Sequence, residues 1–342
     1  MLRTWVRMHA STTSCFFASL STSSSSKQRN RVSMPSSVRI AVVGDVHDDW
    51  NLQEDERALQ FLQPDLVLFT GDFGNENVEL VRSIADLKIA KAVILGNHDS
   101  WNTQQFSKKG KDHVQLQLEC LGEEHVGYSR LDFPMLKMSV VGGRPFSCGG
   151  ESLFRKRLLS ARYGVDDMDG SAKKIYKAAL GTPEGLSIVF LAHNGPIGLG
   201  SDINDICGKD WVFGGGDHGD PDLARAISLL KETTQFSIPL VVFGHMHKEL
   251  AYGNGLRKML VVGADNTIYL NGAIVPRVRS FMKEETSTYA PVSTGTVRAF
   301  TLVEILDGKL VRIAETWVSV IGDKMAIEEE HILYRSSTEW TS

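Results

Sequence analysis

Short apolar runs alternate with amphipathic segments along the first third of the chain. Residues 38–44, 65–70 and 92–95 are apolar and rich in β-branched side chains, which is typical of buried strands. Residues 52–62 and 77–87, which lie between these runs, have the spacing of apolar positions that predicts helices. Strand, loop and helix repeated in this way indicate a largely parallel sheet with helices on its faces.

The middle of the chain continues the alternation less regularly. Residues 102–127 are mostly polar and are predicted to be helical, 137–142 form another strand, and 153–180 have the pattern of helix, loop and helix. The apolar runs 187–192 and 240–243 are each followed by a histidine. Both runs are therefore predicted strands with a polar residue at the carboxyl end.

Beyond residue 247 the pattern becomes purely that of strands, with an Asp307-Gly308 pair that predicts a tight hairpin turn. The predicted strands are residues 258–263, 267–270, 296–305 and 310–320. We expect these strands to form a second sheet stacked on the first. The prediction is an α/β fold of two packed mixed sheets flanked by helices.

The N-terminal residues have a different composition from the rest. The first 44 residues contain no Asp or Glu, and Ser and Thr crowd positions 11–26 among several basic residues. This composition is typical of a chloroplast or mitochondrial transit peptide, whereas residues 15–20 are too short an apolar stretch for a secretory signal. We therefore expect a chloroplast transit peptide in 1–37, a folded domain in 38–335 and a C-terminal tail in 336–342. A plain disordered tail, and a cytosolic form that starts at Met34, remain alternatives.

Charge and cysteine content restrict the functional classes. The net charge is −4, and loss of residues 1–34 removes five of the 37 basic residues and no acidic ones, leaving −9. Such a chain lacks the general attraction of a nucleic-acid binder. Its apolar runs are far shorter than the roughly 18 residues that cross a bilayer. Cys120, Cys148 and Cys207 are widely spaced, so we expect reduced thiols.

Metal-binding side chains follow nearly every predicted strand of the central region, and in parallel sheets such strand ends share one edge. Carboxylate, amide and imidazole donors without cysteine suit Mn, Fe, Zn or Mg, and seven donors are sufficient for two divalent ions. The seven candidates are Asp45, His47, Asp72, Asn97, His193, His245 and His247.

The order and spacing of these blocks resemble the calcineurin-like metallophosphoesterase superfamily, from Asp45 to His247. The resemblance implies the four-layer metallophosphoesterase fold and a metal-dependent hydrolase of phosphate mono- or diesters. It further implies a dinuclear site in which a bridging hydroxide attacks phosphorus. By this resemblance the ligands divide into Asp45, His47 and His247 for the first ion, Asn97, His193 and His245 for the second, and Asp72 as the bridge.

Individual residues also have simpler explanations. Asp45 and Asp72 are suited to capping the helices that follow them, and Asn97 is suited to a turn. His245 and His247 resist such explanations, because two histidines at the end of a buried strand have little reason to pack there. By the resemblance, His98 protonates the leaving oxygen or stabilises charge on the phosphoryl group, and Asp99 orients its ring.

Differences between this sequence and known branches of the family restrict the possible classes of substrate. Phe73, Gly74 and Asn75 after Asp72 lack both the Tyr of purple acid phosphatases and the Asp-Arg-Gly of serine/threonine phosphatases. The Gly- and Asp-rich residues 195–219 are similar to an uncharacterised cyanobacterial and plant branch, and a loop this long predicts a functional role.

We expect this long loop to line the substrate pocket. Lys209 is then a candidate for phosphate contact, Trp211 for stacking on a ring, and Arg144 for a second positive charge. Packing of Trp211 alone is the alternative explanation. The expected partner is a small phosphoester, with nucleic acid and membrane disfavoured. A nuclease, or a binding or scaffold protein on the same fold, remains an alternative function.

Overall fold

A computed structural model of the protein describes residues 37–252, 254–283 and 293–336. The strands are β1 (Ser37–Val43), β2 (Leu66–Phe69), β3 (Lys91–Val93), β4 (Arg130–Phe133), β5 (Met138–Gly142), β6 (Ser187–Leu191), β7 (Leu240–Phe243), β8 (Leu260–Val262), β9 (Ile268–Asn271), β10 (Val278–Lys283), β11 (Ser293–Leu306), β12 (Lys309–Ile321) and β13 (Lys324–Arg335). The α-helices are α1 (Leu52–Leu62), α2 (Val78–Asp86), α3 (His113–Leu121), α4 (Lys156–Tyr163), α5 (Met168–Leu180) and α6 (Pro221–Thr233).

The strands form two mixed sheets. The first has the order β13-β12-β11-β1-β2-β3, with β10 paired to β11, and the second has the order β4-β5-β6-β7-β9-β8. Pairs β1–β2 and β2–β3 in the first sheet, and β6–β7 in the second, are parallel. The carboxyl ends of β1, β2 and β3 therefore share one edge, and those of β6 and β7 share another.

The central strands of the two sheets are buried on both faces, as their continuously apolar runs predict, whereas the edge strand β13 is largely exposed. Along β1, Ile40 and Val42 pack in an apolar cluster that also contains β6 and β7 residues such as Val189 and Val242. Ala41, which alternates with them, packs instead in a cluster that contains helical residues. Strand alternation thus gives each sheet one face for the other sheet and one face for helices.

The helices next to the strand ends begin at identifiable caps. Asn51 accepts a hydrogen bond from the Glu54 N–H at the start of α1, and Asn77 caps α2 through the Leu80 N–H. Helix α1 contacts β12 of the first sheet, while α5 packs beside α6 and against β5 of the second. The described residues therefore have helices on two sheets, and the predicted fold class is confirmed.

Several predicted elements differ from the structure. Residues 102–127 contain one α-helix, α3, and a short 3-10 turn at Gly122–Glu124. The start of this range is a loop, because the Glu76 carboxylate accepts hydrogen bonds from the backbone N–H groups of Asn102 and Thr103. The C-terminal strands do not form a sheet of their own. Strands β10 to β13 extend the first sheet through antiparallel pairing of β11 with β1, and β4 to β9 make the second.

Three further predictions concern the turns and the termini. The Asp307-Gly308 hairpin is confirmed between β11 and β12, where both residues have positive φ. No helix among the described residues is long and apolar enough to span a membrane. Residues 1–36, and with them the predicted transit peptide, lie outside the described residues, as do residues 337–342. Chloroplast delivery stays a prediction.

Candidate metal centre

The polar residues at the strand ends converge where the two sheets meet. Asp45, Asp72 and Asn97 follow β1, β2 and β3 of the first sheet, while His193 follows β6 and His245 follows β7 of the second. The structure brings six of the seven sequence-predicted ligands, together with His98, into three overlapping groups, and the candidate ligand atoms within each group lie within 4.8 Å of one another. The seventh, Asn97, contacts His193 through its Oδ1. The groups are Asp45, His47 and His247; His47, Asp72 and His98; and Asp72, His193 and His245.

The first group has two imidazoles turned toward each other beside a carboxylate. The Nε2 atoms of His47 and His247 are 3.0 Å apart, and His247 Nε2 is 3.5 Å from Asp45 Oδ2. The Asp45 carboxylate is held in place by the His245 N–H and the Thr70 hydroxyl, which both donate to it. Two nitrogen donors and one oxygen donor therefore face a common space.

The third group, Asp72, His193 and His245, contains a histidine whose tautomer is set by its surroundings. His193 Nδ1 donates to the Thr70 carbonyl at 2.7 Å, which leaves Nε2 facing the site. That Nε2 lies 2.9 Å from Asn97 Oδ1 and 3.4 Å from Asp72 Oδ1. The His245 ring stands edge-on to it with ring centroids 5.0 Å apart. A carbonyl hydrogen bond on the far nitrogen is the arrangement of a metal-ligating histidine.

Asp72 lies between His47 and His193, and it belongs to both the second and the third group. One of its oxygens is 3.4 Å from His193 Nε2, and the other is 4.0 Å from His47 Nε2. The side chain is 2% exposed. Asp72 is a buried carboxylate with ring nitrogens on both sides, and Asp45 is a second buried carboxylate. Buried negative charge next to nitrogen donors suits bound cations. The donor set therefore fits two divalent ions with Asp72 shared.

At most of the candidate ligands, the surroundings favour the protonation state that binds a metal ion, which is neutral for histidine and anionic for aspartate. Burial and the adjacent His193 lower the pKa of His245 to about 3, and burial also lowers the pKa of His47. Burial opposes charge on Asp72 and on His193 alike, yet their mutual attraction outweighs it. It lowers the pKa of Asp72 and raises that of His193 to about 10. A metal ion bound at this nitrogen would compete with a proton for His193.

The backbone at the site is strained. Asp45, His47, Asp72 and His245, four of the seven candidate ligands, have φ between 30° and 67°, a region that residues other than glycine rarely adopt. Such outliers gather at functional sites, because the surrounding structure must hold them there. Tight packing accompanies the strain. A Cβ on Gly96 would lie 2.3 Å from Asp72 Oδ1 and 2.5 Å from His193 Cε1.

His98 stands at the rim of the centre, and the prediction that Asp99 orients its ring is wrong. His98 Nδ1 donates to Asn75 Oδ1 at 2.7 Å, and the ring stacks on Trp101 with centroids 4.7 Å apart and planes 7° from parallel. The Asp99 carboxylate is buried and instead accepts hydrogen bonds from the backbone N–H groups of Asp72, Phe73 and Gly96. Asp99 therefore fixes the backbone around the Asp72 carboxylate.

Arg144 does not reach the site. Its side chain is 0% exposed, and its Nη2 and Nε lie 2.7 Å from Asp220 Oδ1 and 3.0 Å from Asp222 Oδ2, while its Nη1 donates to the Ser152 carbonyl. A buried guanidinium paired with two carboxylates has no face left for substrate. The sequence-predicted substrate role of Arg144 is therefore contradicted. Asp220 is the residue directly before α6, but its carboxylate binds Arg144 and makes no capping hydrogen bond to the helix.

Trp211 and Lys209, the two substrate candidates in the long loop, have different positions. Trp211 is half exposed and lines a cavity of about 510 Å³ beside His245 and His247, so it is placed where stacking on a substrate is possible. Lys209 is half-buried, and its backbone N–H donates to the Gly216 carbonyl. Burial, followed by the positive charge of Lys209, lowers the pKa of His218. A phosphate contact by Lys209 stays a prediction.

Sequence reasoning missed His218, which lies against the metal centre. Its ring stacks 6.0 Å from that of His245 and stands edge-on to Trp211 at 4.9 Å. His218 Nε2 donates to the Cys148 carbonyl at 2.8 Å, and its buried Nδ1 has no hydrogen-bond partner in the described part of the chain. The sequence offered one signal for it, namely a histidine in the Gly- and Asp-rich loop that follows His193.

The described cysteines are unpaired, as predicted.

Comparison with known proteins gives a family match and two weak structural likenesses. A family model described as calcineurin-like phosphoesterase matches residues 38–249. A crystal structure of a dimetal phosphatase from Danio rerio is similar at 10% identity and a TM-score of 0.39, covering 87% of this chain and 99% of that one. A predicted phosphoesterase from Streptococcus pneumoniae is similar at 10% identity and a TM-score of 0.31, covering 87% and 98%. Comparison with curated proteins gives no significant match.

Proposed function

Because the chain belongs to the calcineurin-like phosphoesterase family, we propose that it hydrolyses a phosphate mono- or diester of a small molecule at a site for two divalent ions. The observation that carries the proposal is the position of Asp72, whose two oxygens lie 3.4 Å and 4.0 Å from histidines of separate groups. A shared carboxylate between two sets of nitrogen donors is what a pair of closely spaced ions needs. Mn, Fe, Zn and Mg all suit these donors.

The protein's own residues have separable roles in this reaction. Asp45, His47 and His247 would hold one ion, and Asn97, His193 and His245 the other, with Asp72 shared. Bound divalent ions supply Lewis-acid polarisation of the phosphoryl group and lower the pKa of water into the neutral range. The strained backbone and the packed glycines keep the ligands in register before any substrate arrives.

His98 is the residue that exchanges a proton with the leaving group. Its Nδ1 is occupied by Asn75 Oδ1, so Nε2 is the ring nitrogen free to donate a proton to the departing oxygen. Stacking on Trp101 fixes the plane of the ring. The side chain is half-buried, as a group that must meet both substrate and solvent protons has to be.

The test is to separate metal binding from proton transfer. We expect Asp72→Ala to lose bound metal, measured by elemental analysis, together with turnover of p-nitrophenyl phosphate and bis(p-nitrophenyl) phosphate. His98→Ala is expected to keep the metal but to lose about 10²- to 10⁴-fold in kcat, the usual contribution of a general acid. His331→Ala is the control, because this exposed histidine lies in β13. Full metal content and turnover in Asp72→Ala would contradict the proposal.

A further inference from the structure

Large apolar side chains are exposed together around one groove beside the metal centre. Phe213 is fully exposed, Tyr252 is 64% exposed and Leu256 is 58% exposed, all at this groove. Six exposed large apolar residues of the described chain line it, namely Ile203, Trp211, Val212, Phe213, Tyr252 and Leu256. Soluble proteins rarely gather so many exposed apolar side chains in one place unless the surface binds something.

The groove continues into the catalytic cavity. It encloses about 1000 Å³, and the neighbouring cavity of about 510 Å³ is lined by His245 and His247. The two spaces share Asp210, Trp211 and Leu250 as lining residues. A ligand whose phosphate is held at the metal centre can therefore extend past Trp211 into the apolar groove.

The charges around the groove exclude a second anionic group on the ligand. Asp202 and Asp210 are the only carboxylates that line it, and no Lys or Arg is among its described lining residues. The Asp210 carboxylate is itself buried, accepts the Ala251 N–H and lies 3.6 Å from Arg257 Nη2. An uncharged, apolar group suits this surface better than a polyanion.

Buried hydrogen bonds hold the walls of the groove in place. Arg257 Nη1 donates to the carbonyls of Asp205 and Gly208, in the loop that carries the lining residues Ile203 and Asp210, and Arg257 Nε donates to the carbonyl of the candidate ligand His247. Lys258 adds an ion pair to Asp205 at 2.6 Å. The exposed apolar side chains therefore belong to a preformed surface that is tied to the metal centre.

We propose that this groove binds the apolar portion of the substrate, so that the enzyme acts on an amphiphilic phosphoester with an alkyl or isoprenoid group. The inference rests on the proposed function, because the phosphate must be held at the metal centre. Complete burial of a methylene group tightens binding about fourfold. An open groove that gains half of that free energy gives about twofold per methylene, or about 15-fold between a butyl and an octyl chain.

The experiment measures inhibition of p-nitrophenyl phosphate hydrolysis by butylphosphonate and octylphosphonate on the metal-loaded full chain. We expect octylphosphonate to inhibit about 15-fold more tightly. In the double variant Phe213→Ser, Leu256→Ser this ratio should fall to about twofold or less, with the single variant Phe213→Ser intermediate. Met135→Ser is the matched control, because Met135 is 93% exposed and lies outside the groove. It should keep the wild-type ratio.

The outcomes are distinguishable. A ratio near one in an active wild-type enzyme overturns the groove and leaves the proposed function standing. If neither p-nitrophenyl phosphate nor its diester is hydrolysed, the proposed function fails, and calorimetric titration with the same two phosphonates still measures the ratio. A third outcome would favour a membrane contact over the substrate groove. In that outcome the inhibition ratio is near one, the wild-type protein binds phosphatidylcholine vesicles, and Phe213→Ser abolishes this binding.

Discussion

Gly96 is the position where a single methyl group most directly tests the metal centre. A Cβ there would lie 2.3 Å from Asp72 Oδ1 and 2.5 Å from His193 Cε1, whereas ordinary contacts begin at 3.4 Å. Gly96→Ala must therefore displace both side chains by about 1 Å. Asp72 comes from one sheet and His193 from the other, so the methyl group wedges the two halves of the site apart.

The expected result has two parts. Misplacement by about 1 Å at a catalytic centre costs about 10²-fold in turnover, and overpacking a buried position costs about 1–3 kcal/mol of unfolding free energy. Metal content by elemental analysis, turnover of p-nitrophenyl phosphate and urea unfolding measure the loss. The matched control is Gly110→Ala, since a Cβ at Gly110 meets no atom within 4 Å and its φ is not positive. Wild-type metal content and turnover in Gly96→Ala would refute the ligand arrangement.

Three further predictions address the surroundings of the site. Asn75→Ala frees the His98 ring, so kcat should fall at least tenfold with metal content unchanged, and Asn75→Asp should restore most of it; an unchanged kcat would exclude this positioning role. Arg144→Met leaves Asp222 and a second carboxylate buried without their partner, so urea unfolding should show a loss of about 3–5 kcal/mol. Burial, with nearby Arg162, lowers the pKa of His125 to about 3, so the folded protein keeps this ring neutral at pH values where the unfolded chain protonates it. Its contribution is complete above pH 6.5 and is lost as pH falls, by about 2 kcal/mol at pH 5, and His125→Gln should remove that loss in metal-free protein.

The sequence predicts that the candidate ligands converge, because the carboxyl ends of neighbouring parallel strands lie at one edge of a sheet. Each of β1, β2, β3, β6 and β7 is a short apolar run, and the residue after such a run is placed at the carboxyl edge of its sheet. Five runs followed by metal-binding side chains therefore predict one site without any knowledge of the turns. The same patterns predicted α1 with its observed bounds, because its cap and its apolar spacing are both local.

The partition of the strands between the sheets could not be read in this way. Strands β10 to β13 extend the first sheet because β11 pairs with β1, more than 250 residues earlier. Nothing in the local pattern of β11 distinguishes that partner from any other exposed edge. The same holds for Arg144, whose two carboxylate partners lie more than 70 residues away and turn a presumed substrate contact into a buried ion pair.

Asp99 shows why even a correct motif leaves a residue's role open. A carboxylate that follows Asn97 and His98 at this spacing can either bind the imidazole or turn back on the chain, and both choices need the same residue in the same place. Here it turns back and accepts hydrogen bonds from three buried N–H groups, including those of Gly96 and Asp72. The strained φ of 52° at Asp72 then has a physical support. The His98 ring is instead oriented by Asn75, which lies three residues after Asp72.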